Sequence, residues 1–276
     1  MNINSRLMKH SQRGATMIVV LIMLVLLTLV GIMGIRTAMT SLSIATNSQV
    51  GQLIYQSSDT PSNYFLNNSS YENLTTPTTV VGQAISLNEN GQRGREVIFC
   101  YRPTGTERID SAFDTTVLIP PDKSADPDTK AKIDSVYTDR AGFCDLTKDF
   151  GSSREAVVTQ VSVKVISDEQ LVIGADLDRG SNQAVGNTET KDQVRATIRV
   201  TSTAIMPSFA RENISNIQEE CIGNGSKVGY INDNLDKDLK GKKTVADCLS
   251  GYGIPLSTQV QEFQLRTRDI QIKAPI

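Results

Sequence analysis

The chain has 276 residues, a formal net charge of −2, four cysteines, no tryptophan and a single histidine, His10. A balance this close to neutral, on the acidic side, gives no electrostatic basis for binding nucleic acid. Downstream of His10 there is no imidazole, which excludes Ser-His-Asp and Cys-His catalysis and every histidine-containing metal site from the rest of the chain.

Residues 1–14, MNINSRLMKHSQRG, carry Arg6, Lys9 and Arg13 and no acid. From Ala15 to Ile35, 21 residues are without a charge. At a helical rise of roughly 1.5 Å per residue such a run covers about 30 Å, the thickness of a bilayer core. A cleaved secretory segment has a shorter apolar stretch, about 7 to 15 residues, and a small-residue cleavage site, whereas this run meets Arg36. The next Lys or Arg after Arg36 is Arg93, so the basic residues place residues 1–14 in the cytoplasm and the remainder across the membrane. No second apolar run of membrane length follows. A single-span protein with an exported domain is predicted, and removal of residues 1–14 would move its net charge from −2 to −5.

Past Arg36, RTAMTSLSIATNSQVGQLIYQS has no proline, and Ile35, Met39, Leu42, Thr46, Val50, Leu53 and Ser57 recur at helical spacing. The pattern predicts one helix over 15–57, with its membrane segment at 15–35, ending where SDTPSN supplies turn formers and Pro61. Residues 58–92 read as a polar connecting region with one short strand near Thr79 to Ile85. From residue 93 the period becomes two, in REVIFCYRP, in VVTQVSVKVIS (157–167), in RATIRVTSTAIM (195–206) and in VQEFQLRTRD (260–269). Val161, Val163 and Val165 share one face, as do Ala196, Ile198, Val200 and Ala204, while Arg195, Thr197, Arg199 and Thr201 face away. This predicts an antiparallel sheet with one covered face, the second half of the long helix being the cover. The fold class is therefore α+β, with a β-rich globular part over 93–276 and polar insertions at Pro120–Thr138 and Gly174–Asp192.

Cys100, Cys144, Cys221 and Cys248 all lie in the exported part, where an even count reads as two disulfides. Three connectivities are possible, and pairing of neighbours, Cys100 with Cys144 and Cys221 with Cys248, is favoured. Each loop would stabilise by about 3–4 kcal/mol. No two cysteines have zinc-site spacing. Acidic residues mark no catalytic pair, so no enzyme and no cofactor is expected. GADLDRGSN, with Asp176 and Asp178, and INDNLDKDLKGK, with Asp233, Asp236 and Asp238, lack the ligand spacing of a calcium loop and read as solvated loops.

The leader ending in Arg13-Gly14 immediately before the apolar run resembles a type III (prepilin-type) signal. The resemblance implies cleavage between Gly14 and Ala15 by a prepilin peptidase, methylation of Ala15, and retention of the apolar helix as membrane anchor and then filament core. Type IV pilins and type II secretion pseudopilins have glutamate at the fifth mature position, where this chain has Val19. In the family that carboxylate pairs with the amino terminus of the preceding subunit, so its absence implies a subunit without a predecessor, at the growing tip. RGATMIVVLIMLVLLTLVGIMGIRTAMTSLSIATNSQV looks like the PilX group of minor pilins, with close resemblance over residues 9–57 and a late cysteine loop like that of many pilins. The implied partners are other minor pilins, the major pilin, the inner-membrane assembly machinery and a PilY-type tip adhesin. The implied location is the inner membrane, with the C-terminal domain periplasmic, and then the pilus tip. The tip pseudopilin of type II secretion shares the missing glutamate. An adhesive module acting through the polar insertions and an unprocessed signal-anchored envelope protein are the other readings.

Overall fold

A computed structural model of the chain describes residues 15–67, 74–103, 111–136, 142–166, 190–192, 196–265 and 268–270. The leader with His10 and Gly14, the acidic stretch with Asp176 and Asp178, and Arg195 lie outside the described residues. Two compact units are distinguished, residues 1–50 and residues 51–276.

Helix α1 (Ala15–Asn67) runs through both, and continues past the expected end at Ser57. Within residues 1–50, the apolar side chains from Met17 to Ile35 are all exposed. This segment is long and apolar enough to cross a membrane. Pro61 lies inside the helix. It cannot donate to the Ser57 carbonyl, which costs about 3 kcal/mol. The helix survives because Ile54, Ser58, Pro61, Ser62 and Phe65, spaced on one helical face, are buried in the globular unit. Burial of Ile54 and Phe65 alone supplies about 1.5–3 kcal/mol each. The Phe65 ring stands edge-on to Phe99 at 6.4 Å, and the Ser58 hydroxyl donates to Ser257 Oγ at 3.1 Å.

Where a short strand was expected near Thr79–Ile85, helix α2 (Val80–Glu89) forms instead. Thr79 caps it by accepting from the Gly82 amide at 3.0 Å. Val80, Val81 and Ala84 enter the core.

The main sheet has six antiparallel strands in the order β3-β2-β1-β4-β6-β9. These are β1 (Glu96–Tyr101), β2 (Thr116–Ile119), β3 (Lys132–Val136), β4 (Val158–Ile166), β6 (Ala196–Ile205) and β9 (Leu256–Leu265). β3 arises inside the insertion read as a loop, and β9 starts before the expected Val260. Two short ribbons pair β5 (Thr190–Asp192) with β10 (Arg268–Ile270), and β7 (Gly223–Asn224) with β8 (Lys227–Val228). One face of the main sheet carries Val97, Phe99, Val117, Val161, Val163, Val165, Ile198 and Val200 beneath α2 and the end of α1.

The other face is covered too, which corrects the expectation of a single covered face. Its cover is the chain between β6 and β9, which holds α3 (Ile214–Cys221) and α4 (Val245–Gly251). This lobe leaves and re-enters the sheet at one place, since Ile205 pairs with Leu256 and the Met206 amide donates to the Pro255 carbonyl at 3.1 Å. Thr244 and Asp247 form a reciprocal capping box on α4. The cysteines stand at disulfide distance as Cys100–Cys144, 2.01 Å between sulfurs, and Cys221–Cys248, 1.97 Å. The first ties β1 to the loop before β4, and the second joins α3 to α4 within the lobe.

Candidate functional site

Two features carry charge or apolar character beyond what packing requires: the exposed apolar segment of α1 and an ionic cluster between the sheet and the lobe. In the first, Ala15 opens the helix, and Val19 is 56% exposed among uniformly exposed apolar neighbours. Nothing on α1 between Ala15 and Ile35 carries a charge, and its polar side chains are the hydroxyls of Thr16 and Thr28.

The second feature starts from a rung of four strands. Lys164 on β4 is the cross-strand partner of Arg199 on β6, and Arg199 is the partner of Glu262 on β9. Glu96 opens β1, one step beyond the Val97–Val163 pair. Lys164 and Arg199 are thus like charges side by side, an arrangement that destabilises a sheet unless something bridges them.

Two lobe carboxylates do so. Asp233 Oδ1 is 2.9 Å from Lys164 Nζ and 3.0 Å from an Arg199 Nη1. Asp236 contacts Lys164 Nζ at 2.8 Å and Arg199 Nη1 at 2.7 Å. The outer side of the Arg199 guanidinium meets Glu262 at 2.8 Å, and the Thr201 hydroxyl donates to Asp233 Oδ2 at 3.1 Å. Lys164 is 1% exposed and Asp233 is 4% exposed. The expectation that Arg199 and Thr201 face solvent and that Asp233 and Asp236 sit in a solvated loop is therefore corrected. Asp238 remains at the surface, paired with Lys123 at 2.8 Å.

Glu96 completes the cluster. One of its oxygens accepts from the Asn232 amide at 3.0 Å, from Asn232 Nδ2 at 2.8 Å and from the Ser162 hydroxyl at 3.3 Å. The other has no hydrogen bond among the described residues and lies 3.8 Å from Lys164 Nζ. Asn232 also accepts from Gln160 Nε2 at 3.0 Å. Complete burial raises the Glu96 carboxyl above its ordinary range, against the opposing pull of Lys164. For Lys164, burial pulls the ammonium down, but Glu96, Asp233 and Asp236 together outweigh it and hold it above the ordinary lysine value. Burial likewise pushes Asp236 up, and Lys164 and Arg199 outweigh that and hold it low.

Glu96, Lys164 and Asp233 are enclosed, while Asp236 and Glu262 reach the surface, and the buried groups position one another. Its chemistry is that of a clamp holding the lobe on the sheet in one register. Among the described residues no group of three or more His, Cys, Asp or Glu is placed to hold a metal ion. An open groove of about 400 Å³ beside α3 is lined by Lys130, Asn216, Glu219, Glu220, Lys227 and Val228. Its charges pair internally, Lys130 with Glu220 at 3.0 Å and Lys227 with Glu219, leaving no net charge to recruit a ligand.

Sequence reasoning missed the clamp, although single charges at Lys164 and Arg199 inside otherwise apolar or hydroxylated strands are its signal. Comparison with known protein families, with characterised proteins and with solved structures finds no match to this chain.

Proposed function

We propose that this chain is a minor pilin that joins other minor pilins in a priming complex for type IV pilus assembly and comes to lie at the pilus tip. The observation that supports this most is α1. A charge-free, exposed segment of membrane length continues without interruption into turns that lie on an antiparallel sheet, the layout of the pilin superfamily. On this reading Gly14 sets the cleavage point, Ala15 becomes the methylated terminus, and residues 17–35 serve first as anchor and then as filament core. Val19 stands where a polymerising subunit needs a carboxylate, and a subunit that begins the filament has no predecessor to pair with. The partners are the other minor pilins, the major pilin, the inner-membrane assembly machinery, the prepilin peptidase and a PilY-type tip adhesin. The globular domain is periplasmic before assembly.

N-terminal sequencing of the protein purified from membranes tests the reading. A start at N-methylated Ala15 is expected, and an intact Met1 would overturn it in favour of an unprocessed envelope protein. Deletion of the gene separates the remaining alternatives. Loss of pili fits an assembly subunit, loss of protein secretion a type II tip pseudopilin, and loss of attachment with pilus number unchanged an adhesive module.

A further inference from the structure

Neither disulfide ties the lobe to the sheet, since Cys100–Cys144 joins β1 to the loop before β4 and Cys221–Cys248 lies within the lobe. The clamp between them holds three groups in a reactive arrangement. Lys164 Nζ meets Asp233 Oδ1 at 2.9 Å, and both side chains are buried. Glu96, also buried, faces Nζ at 3.8 Å with the oxygen that has no hydrogen bond among the described residues. An unsatisfied buried oxygen costs stability, but beside an amine it is placed to relay a proton, and long contacts of this kind tighten during reaction. The two oxygens of Asp233 are held differently. Oδ1 accepts from Arg199 Nη1 at 3.0 Å and from the Leu235 amide at 3.2 Å, the donor set of an oxyanion hole. Oδ2 accepts from the Thr201 hydroxyl at 3.1 Å.

We propose that Lys164 and Asp233 condense to an amide, an isopeptide bond that staples β4 to the lobe. The Nζ–Cγ bond forms and the Cγ–Oδ2 bond breaks. Nζ gives up two of its three protons, and Oδ2 leaves as water carrying two. One of them passes through Glu96, which donates its own proton and takes one from Nζ. The negative charge of the tetrahedral intermediate falls on Oδ1, against Arg199 and Leu235. An ammonium and a carboxylate thus become an amide and a water, with no change in net charge and no oxidant. Lys164 starts as an ammonium, held so by the carboxylates around it. Passing one proton to Asp233 across their contact makes amine and acid in place, and burial favours that neutral pair. Burial also holds Glu96 towards its acid form. Exclusion of water withholds the reactant of the reverse step. Asp236 touches Nζ as well, but it is 27% exposed and remains paired with Arg199. This inference is independent of the proposed pilus role.

The reaction follows folding, because only the fold brings together residues 69 positions apart. Freshly refolded protein is therefore the ionic form, and the condensed form accumulates from it. The test applies mass spectrometry to full-length protein, both as purified from membranes and during incubation after refolding, with the disulfides reduced and the chain digested with trypsin. Two peptides joined through Lys164 and Asp233, lighter by one water than their sum, are expected, with loss of tryptic cleavage at Lys164. Glu96→Gln is expected to slow their appearance by at least about a hundredfold. Circular dichroism melting verifies that this variant folds, and Glu96→Ala replaces it if it does not. Parent protein that stays cleavable at Lys164 after folding overturns the proposal, whatever the variants do. A fragment spectrum that places the link at Asp236 or Glu96 overturns it too, as does condensation at the parental rate in the folded Glu96 variant.

Discussion

Lys164 Nζ and Asp233 Oδ1 meet at 2.9 Å although 69 residues separate them in sequence, and both side chains are almost wholly withdrawn from water. The contact joins β4, an interior strand of the sheet, to the lobe that covers one of its two faces. With Arg199 and Asp236 it turns a repulsive pair of cations into a bridged quartet.

Removing one partner of such a quartet leaves buried charge uncompensated. Lys164→Met is expected to destabilise the globular unit by about 3–5 kcal/mol. Combining it with Asp233→Asn should cost less than the two single changes together. Urea unfolding followed by circular dichroism measures both, and strict additivity would show that the contact carries no coupling.

The two perturbed carboxyls have opposite pH signatures. Glu96 is raised from 4.5, so the stability it allows is complete below that value and is lost as pH rises through its folded pKa. Asp236 is lowered from 3.8, so its contribution is present above that value and is lost as pH falls through its folded pKa. Glu96→Gln keeps an oxygen for Asn232 and Ser162, and should be at least as stable as the parent at about pH 8 while losing its advantage at about pH 4. Asp236→Asn should lose stability at neutral pH and flatten the acid limb. Denaturation midpoints across this range decide; a Glu96→Gln profile parallel to the parent would remove the assignment.

Replacing Cys221 and Cys248 together by serine opens a loop of sequence separation 27. The expected cost is about 3.5 kcal/mol on the loop-entropy estimate. Hydrogen exchange should quicken first in the lobe, at Val245, whose amide donates to the Ile231 carbonyl, while β1 and β4 stay protected. Uniform loss of protection would mean that the lobe is not a separate unit of stability.

Val19→Glu restores the carboxylate of a polymerising subunit. On the proposed role it should let the subunit enter the filament shaft or lower pilus number by disturbing priming. Pilus counts and labelled-subunit microscopy measure this. Unchanged number and unchanged tip location would sink the argument from Val19.

Periodicity carried much of the architecture. Val161, Val163 and Val165 share one face as their alternation predicts, and Ile198 and Val200 lie beside them in the same core. The α2 segment defeats the same reasoning, because β-branched Thr79-Val80-Val81 suits a strand as well as the first turn of a buried helix. Burial of Val80, Val81 and Ala84 behind the Thr79 cap decides it. Pro61 signals a stop that packing of Ile54 and Phe65 overrides. The clamp was half legible: Lys164 and Arg199 were placeable on the face opposite the valines. No local pattern states that residues 206–255 fold back over that face and bring Asp233 and Asp236 with them.

That excursion also bears on the order in which the chain folds. β9 can pair with β6 only after the ends of an intervening stretch of about 50 residues meet, and closure entropy grows with the logarithm of its length. A Cys221–Cys248 link formed early removes roughly half of the stretch from the closing circuit, worth about 0.6 kcal/mol, or about threefold in rate. Oxidation of the lobe before strand pairing is thus the faster route.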